Sequence, residues 1–288
     1  MNPRPTSIQE DILEKTLITG AGGMVGSYID FGFRTDHRSL DVTDLNEVLS
    51  VCKRLLPRVI IHLAAETDFD RCERDISRAY MVNGVGTYNM AYAAREFGAK
   101  MVYVSTSAVF DGEKTEPYVE DDMPRPRSNY GHSKYLGELT VQGLVPDYVI
   151  ARIAWVFGGG AAKDQKFVAK IIKQLGQREI NIIKGKRGSP TYGKDLVAAL
   201  KRLIQEGKHG VFHMSNAGSP TRADIAKEIV RITNASTQVN IVDPSFFSSV
   251  YADRLDNESM QSRISYMRPW QEALREYIEV EWPDAIRH

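Results

Sequence analysis

Short apolar runs and helical patterns alternate along the first half of the chain. Three runs are nearly continuous, as is typical of strands that are buried on both faces of a sheet: KTLITG (15–20), RVIIHLAA (58–65) and KMVYVSTS (100–107). Helical patterns separate them, including DLNEVLSVCKRLL, for which Asp44 is a candidate N-cap. Strands that alternate with helices form a parallel sheet with helices on both faces. We therefore predict an α/β fold around a doubly wound parallel sheet, which binds ligands beyond the carboxyl ends of its strands.

The first predicted strand ends in a glycine-rich turn, GAGGMVG, which has Gly20, Gly23 and Gly26 at GxxGxxG spacing. Glycines at this place permit a sharp turn, let the backbone approach a pyrophosphate, and let the following helix pack closely on the sheet. Met24 and Val25 lie inside the same turn. Because the turn follows a strand and opens a predicted helix, it indicates a Rossmann-type dinucleotide site.

The residues after the glycine turn leave the choice between NAD and NADP open. Asp36 could bind the hydroxyl groups of the adenosine ribose and favour NAD. Three neighbouring basic residues could instead pair with a 2′-phosphate and favour NADP: Arg34, His37 and Arg38. Asp41 and Val42, in LDVTD, are candidate neighbours of the adenine. The first helix and the second strand must both be short, because little sequence separates the glycine turn from LDVTD.

The later part of the chain mixes strand and helix patterns and shows no internal repeat or flexible linker. We place a boundary at the glycine run that follows residue 157. Residues 1–157 are predicted to form a dinucleotide-binding domain, and residues 158–288 a mainly substrate-binding region of mixed α/β structure. Segments at about 191–216 are expected to return to the first sheet. The two parts would then form the walls of a cleft.

Charge and composition favour a small-molecule partner. The 288 residues include 37 basic and 37 acidic side chains, so no global field would attract nucleic acid or an anionic membrane. There is no apolar signal core and no run of 18 apolar residues, and we expect a cytoplasmic location. Cys52 and Cys72 lack the spacing of a metal site or a CxxC motif, so we expect reduced thiols and no bound metal.

A tyrosine and a lysine stand four positions apart in SNYGHSKYLGE (128–138). A helix that begins near Ser128 would place Tyr130 and Lys134 on one face. A nearby ammonium favours the ionised phenol and would lower the pKa of Tyr130. The pair is therefore a candidate proton donor with its tuning group.

Several motifs occur in a characteristic order. They are TLITGAGGMVG, LDVTD, HLAAETDFDRCE, VNGVGTYN, VSTSAVFDG, YGHSK, RIAWVFG and GSPTYGKDL. In this order they resemble the extended short-chain dehydrogenase/reductases, and within that superfamily the nucleotide-sugar 4-ketoreductases. The resemblance covers roughly residues 15–280.

The resemblance implies a reduction of a ketone by hydride from NADPH or NADH, with NADP slightly favoured. Tyr130 would be the general acid that protonates the ketone oxygen. Lys134 would bind the nicotinamide ribose and lower the pKa of the tyrosine. Thr106, in VSTSAVF, would donate a hydrogen bond to the same oxygen. Two hydroxyl donors at this oxygen would stabilise the alkoxide character of the transition state.

Further positions match the family's cofactor and substrate contacts. On the cofactor side they are Ala64, Ala65, Thr67 and Asn83, the last as a residue that braces the active site. On the substrate side they are Ser107, Trp155, Pro190 in the GSPT turn, and Arg254. Close packing would equally explain the two alanines, and the tryptophan could fill a core instead of stacking on a sugar.

One departure from the family keeps other functions open. Ser107 and Ala108 stand where the reductases usually have Asp-Tyr, and the acidic pair of the sugar dehydratases is also absent. Ser-Ala does occur at this place in sugar 4-epimerases. We therefore expect reduction of the 4-keto group of a dTDP-type 6-deoxysugar, with an NAD-dependent epimerase or a non-catalytic regulatory subunit as alternatives. A nucleotide sugar is the expected partner, and a homodimer is possible.

Overall fold

A six-stranded parallel sheet forms the centre of the protein. The computed structural model describes residues 12–246 and 255–286. The strands of the sheet are β1 (Thr16–Thr19), β2 (Phe33–Arg34), β3 (Val59–His62), β4 (Lys100–Thr106), β5 (Tyr148–Ile153) and β10 (Gly210–His213). Their order is β10-β5-β4-β3-β1-β2, and every neighbouring pair is parallel. The predicted doubly wound α/β fold is thus confirmed.

Successive residues of a strand point to opposite sides of the sheet, so both sides of this sheet carry apolar side chains. Helices cover both faces. On one face, Leu17 and Ile60 pack with α1 (Leu45–Leu55), α4 (Gly86–Glu96) and α5 (Asn129–Leu144). Asp44 is the N-cap of α1, as predicted, and its carboxylate accepts hydrogen bonds from the Asn46 and Glu47 amides. On the other face, Ile18 and Ile61 pack with residues of the later part of the chain.

The connection from β1 to β2 differs from the expected helix. It contains only a 3₁₀ turn, Val25–Tyr28, which ends where Ile29 enters the core. The chain turns back at Gly32, whose φ of +69° brings it against the Thr16 carbonyl. This short path leaves no room for a longer helix, and β2 is limited to two residues.

The helical segment before β4 is interrupted by a π-helical turn. It comprises α3 (Ile76–Tyr80), the π turn Met81–Val85, and α4. A shorter helix, α2 (Phe69–Arg74), precedes it. Single π turns inside helices are often found at functional sites, and this one carries Asn83.

The second part of the chain forms small parallel pairs of strands and several helices. Its elements are β6 (Val156–Phe157), α6 (Gly160–Lys163), α7 (Phe167–Ile172), β7 (Glu179–Ile183), β8 (Arg187–Gly188), β9 (Thr191–Tyr192), α8 (Gly193–Gln205), α9 (Arg222–Thr233), β11 (Gln238–Val242), β12 (Asn257–Glu258) and α10 (Trp270–Glu281). The pairs are β11 with β7, β12 with β8, and β6 with β9. Phe157, Tyr192 and Tyr277 form an aromatic centre in this region.

One helix of the second part packs on the first sheet, and one strand of the second part joins that sheet. Leu196 and Leu200 of α8 pack on the same face as Ile18, and β10 pairs with β5. Within the described ranges, the helices are too short or too polar to cross a bilayer.

Candidate active site

In doubly wound sheets, a ligand crevice opens where the connections from neighbouring strands diverge. β2 and β3 lie on opposite sides of β1, and in such sheets this is the place where ligands bind. Gly20, directly after β1, has a φ of +70°, and a Cβ atom there would lie 2.6 Å from the Ala64 amide nitrogen. At Gly26 it would lie 2.5 Å from the Ala21 Cα. Only glycine permits these two close backbone contacts.

The remaining residues of the glycine turn are less crowded. A Cβ atom at Gly23 would meet no atom closer than 3.4 Å. Met24 precedes the 3₁₀ turn and Val25 begins it. The exposed Lys163 of α6 reaches across to this turn, and its Nζ donates a hydrogen bond of 2.9 Å to the Gly22 carbonyl.

The residues predicted to meet the adenosine lie beside the same turn. The Asp36 side chain approaches Gly22, and its Oδ1 accepts hydrogen bonds from the Arg38 and Ser39 amides. These hydrogen bonds, that of Arg38 first, lower the pKa of Asp36. Asp41 caps its own turn by accepting from Thr43, whereas Val42 is buried against α4. The Asp36 carboxylate is thus partly occupied by its own loop.

Asn83 holds the loop that follows β3. Its Oδ1 accepts a hydrogen bond of 2.8 Å from the Glu66 amide, and its Nδ2 donates to the Glu66 carbonyl and to Ser133 Oγ, each at 3.0 Å. Asn83 is fully buried and braces the loop Ala64 to Thr67. Its contact with a cofactor stays a prediction. The Thr67 carbonyl accepts a hydrogen bond from Lys166 Nζ at 3.4 Å.

The structure brings Thr106, Tyr130 and Lys134 together. Thr106 ends β4, and α5 begins as predicted, with Ser128 Oγ accepting from the Gly131 amide at 3.1 Å. A Cβ atom at Gly131 would lie 2.2 Å from the Ala108 carbonyl oxygen, so glycine allows the helix to abut the end of the strand. Tyr130 is 7% exposed, and the Thr106 side chain is near enough to lower its pKa.

The pKa of Tyr130 is raised, contrary to the expected lowering. Burial is the main cause, while the Thr106 side chain opposes it. Lys134 is also buried, and burial lowers its pKa to about 7 against the attraction of Glu138. Its Nζ donates to the Val104 carbonyl at 2.8 Å and lies 4.2 Å from the centre of the Tyr103 ring.

A buried ion pair behind Lys134 was missed from the sequence. Glu138 accepts two hydrogen bonds from Arg152 Nε and one from Arg152 Nη2, and Ser105 Oγ donates to it. Glu138 is fully buried and Arg152 is 3% exposed. The spacing of four residues between Lys134 and Glu138 was the available signal. The partner of Glu138 comes from β5, which the local sequence pattern does not reveal.

Trp155, which is predicted to contact the sugar, has a strained backbone. Its φ is +42°, which is unusual for a bulky residue. A Cβ atom at Gly188 would lie 2.3 Å from the indole, so glycine is required beneath the ring. The Arg222 guanidinium lies 5.4 Å from the centre of the ring. The distortion interrupts the predicted continuous strand between β5 and β6.

The other predicted substrate residues differ in their positions. Ser107 Oγ donates a hydrogen bond of 2.9 Å to Glu258, which also accepts from Trp155 Nε1 at 2.9 Å. Pro190 is buried between β8 and β9, and its carbonyl accepts from the Asn216 amide. Pro190 therefore shapes the turn, whereas Arg254 lies outside the described residues.

A cleft of about 580 Å³ adjoins this side of the site. It is lined in part by Lys114, Arg127, Arg187 and Asn257. The lining also includes the carboxylates of Asp111, Glu113 and Asp256, and Glu113 pairs with Arg127 at 3.5 Å. No cluster of metal-binding side chains was found among residues 12–246 and 255–286.

The parallel sheet, the glycine turn and the Thr-Tyr-Lys site together define an NAD(P)-dependent oxidoreductase of the extended short-chain dehydrogenase/reductase superfamily. A family model described as the RmlD substrate binding domain matches residues 14–281, and the chain belongs to this family.

Named relatives span nearly the whole chain. The spore coat polysaccharide biosynthesis protein SpsK of Bacillus subtilis is 30% identical over 280 residues, which cover 93% of this chain and 98% of the relative. The dTDP-4-dehydrorhamnose reductase of Mycobacterium tuberculosis is 33% identical over 285 residues, 91% of each chain.

Solved structures share the fold. The dTDP-4-dehydrorhamnose reductase of Bacillus anthracis, in complex with NADP, has a TM-score of 0.86 and 32% identity, and the match covers 92% of this chain and 98% of that one. The UDP-glucose 4-epimerase of Thermotoga maritima has a TM-score of 0.79 at 20% identity, covering 94% and 99% of the two chains. This second likeness concerns the fold alone.

Proposed function

We propose that this protein reduces the 4-keto group of a dTDP-linked 6-deoxysugar with NADPH or NADH, on a route to a surface polysaccharide or glycosylated metabolite. The observation that carries the proposal is the placement of Thr106, Tyr130 and Lys134 at the carboxyl end of β4 and the start of α5, in a sheet whose first strand leads into the glycine turn. The named reductases among the relatives support the substrate class, and SpsK supports the link to polysaccharide.

The residues around the crevice fit a dinucleotide. The turn from Gly20 to Gly26 packs tightly against Ala64 and Ala21 and is open at Gly23, where a pyrophosphate could approach the backbone. We propose that Met24, Val25 and the loop Ala64 to Thr67 line the cofactor. Residues 12–157 would mainly hold the cofactor, and the later region, apart from α8 and β10, would mainly hold the sugar.

When bound, the cofactor supplies the hydride that adds to the ketone carbon. Tyr130 gives its proton to the ketone oxygen, and Thr106 donates a hydrogen bond to the same atom, which stabilises the growing negative charge. Burial raises the pKa of Tyr130, so the phenol still carries its proton at neutral pH. Lys134 would hold the hydroxyl groups of the nicotinamide ribose.

We also propose a preference for NADP. Asp36 uses its Oδ1 within its own loop, whereas three basic residues remain near the position of a 2′-phosphate. These residues are Arg34, His37 and Arg38, all exposed.

The first experiment follows absorbance of the reduced nicotinamide with purified protein and a dTDP-4-keto-6-deoxysugar. NADPH and NADH are used in separate reactions. Substrate-dependent loss of absorbance with either cofactor is expected, and it should be faster with NADPH. An epimerase would instead convert an intact nucleotide sugar without net cofactor consumption, and a regulatory subunit would do neither.

We propose a cytoplasmic homodimer. Both free thiols, Cys52 and Cys72, are buried, which is consistent with a reducing compartment. Large apolar side chains are exposed on adjacent helices, which supports an interface there. They are Val85, Tyr88, Leu136 and Leu139. Light scattering after size exclusion should give twice the chain mass of 32.4 kDa, and Leu139→Glu should shift it to the monomer.

A further inference from the structure

Glu258 links three parts of the substrate side. It lies on β12 opposite Gly188 of β8 and is half-buried. Its Oε2 accepts a hydrogen bond from Ser107 Oγ, and its Oε1 accepts one from Trp155 Nε1, both at 2.9 Å. A single carboxylate therefore joins the end of β4 to the strained residue after β5.

The carboxylate retains acceptor capacity. An ionised carboxylate has about four lone-pair sites, and the two hydrogen bonds use two of them. In the described part of the chain, no lysine or arginine forms an ion pair with Glu258. The negative charge of Glu258 also acts on Tyr130, the proposed acid, because it contributes to the raised pKa of Tyr130. Glu258 is thus a partly desolvated acceptor near the reacting centre.

The position explains the departure at Ser107. The related reductases usually have an aspartate directly after the threonine, whereas here the serine hydroxyl donates to Glu258. The negative charge next to Thr106 is therefore supplied from β12 instead of from the end of β4.

The two kinds of group favour one orientation of a sugar ring. Thr106 and Tyr130 are donors and suit a ketone oxygen, whereas Glu258 only accepts and suits a hydroxyl group. A ketone oxygen placed against the carboxylate would be repelled. Donors and acceptor side by side therefore distinguish a ketone from the hydroxyl group on the adjacent carbon.

We propose that Glu258 determines substrate specificity by accepting a hydrogen bond from the ring hydroxyl next to the ketone, which fixes the carbon that receives the hydride. This rests on the proposed function, because it takes a nucleotide-linked sugar as the ligand. The hydroxyl in question is that on carbon 3 when the ketone is on carbon 4.

The test measures binding, so that it does not depend on turnover. Calorimetry compares a dTDP-linked 6-deoxyhexose with its 3-deoxy counterpart, in the absence of cofactor. The native protein should bind the hydroxylated sugar about tenfold tighter or more, as expected for a hydrogen bond to a charged group. Glu258→Gln should lose most of this preference, because the amide group can still satisfy Ser107 and Trp155 but has no charge. Glu272→Gln, at an exposed position of α10, should keep it.

Three results would overturn the proposal: equal binding of the two sugars by the native protein, no binding of either, or an equal loss of affinity for both in Glu258→Gln. The last would mean that Glu258 only positions Trp155. Failure of the proposed function is seen separately, as absence of cofactor oxidation by the native protein.

A double variant tests whether a carboxylate at position 107 can replace the carboxylate of Glu258. Ser107→Asp alone places two carboxylates together and should weaken binding of the hydroxylated sugar. Ser107→Asp combined with Glu258→Gln should recover part of the preference, since one carboxylate is again present. No recovery, with an unchanged thermal midpoint, would contradict the proposal.

Discussion

Tyr130 is held in its protonated form by its surroundings. Burial raises its pKa, and burial also lowers the pKa of Lys134 to about 7. For a reductase this arrangement is useful, because the acid must carry a proton when the hydride arrives. The spacing of the two residues could be predicted from the sequence. Their solvent exclusion could not, since it depends on Ala108, Phe69 and Cys72, which pack around the ring.

Replacing Tyr130 with phenylalanine removes the proton donor and little else. We expect turnover to fall by about 10²-fold or more, the scale typical of a positioned general acid. NADPH affinity, measured by fluorescence titration, should stay within about threefold of the native value, because the substitution removes no contact that holds the cofactor. Tyr135→Phe, five residues further along α5, is the control and should retain full turnover. Near-native turnover of Tyr130→Phe would refute its role.

At the scale of elements, the segment after β6 joins two loops of the first part of the chain. Lys163 of α6 contacts the glycine turn, and Lys166, directly before α7, contacts the loop after β3. The N-caps of α1, α5 and α9 could be predicted because Asp44, Ser128 and Thr221 act within one turn. The 3₁₀ turn, the π turn and the break at Trp155 could not, because distant contacts impose them.

Lys163→Gln should weaken NADPH binding. The ammonium group lies at the turn where a pyrophosphate would approach, and its loss should raise the dissociation constant about 3- to 10-fold, with a smaller effect at high salt. Lys170→Gln, an exposed lysine of α7, serves as the control. Equal affinities for the two variants would show that Lys163 has no part in cofactor binding.

Gly188→Ala should displace the Trp155 ring. The new Cβ atom would lie 2.3 Å from the indole, so Trp155 must move away from Glu258. We expect at least about tenfold weaker binding of a dTDP-sugar by calorimetry, on the scale of losing one charge-assisted hydrogen bond. NADPH binding should be unchanged. Gly176→Ala, where the new atom meets nothing within 4 Å, should leave both affinities intact.

At the scale of the whole molecule, buried histidines make folding sensitive to acid. Burial lowers the pKa of His62 to about 3, with a further contribution from Lys134, and burial lowers the pKa of His213 to about 4. His62 lies between Thr19 and Thr87 and stacks on Tyr103. In the unfolded chain a histidine binds a proton below a pH of about 6.5. Stability is therefore present above this pH and is lost as pH falls toward the folded values.

His62→Gln should flatten this dependence. Between pH 7.5 and 5.0, His62 alone should cost the native protein about 2 kcal/mol of unfolding free energy, because only the unfolded state takes up the proton. The variant should be less stable at pH 7.5, where it lacks the ring stacking, but should lose less on acidification. Urea titrations at the two pH values measure both quantities. An equal loss in the variant would contradict the assignment.

The return of α8 and β10 to the first sheet limits how this enzyme can be recombined. Leu196, Leu200 and Phe212 fill the core against Ile18 and Val149, although they belong to the second part of the chain. Consider a hybrid that joins residues 12–157 to the remainder of a different family member. One side of its sheet would pack against core residues of the other protein. We therefore expect that substrate preference can be exchanged between relatives by replacing short segments, such as the one that includes β12 and Glu258, and not by exchanging the whole C-terminal half.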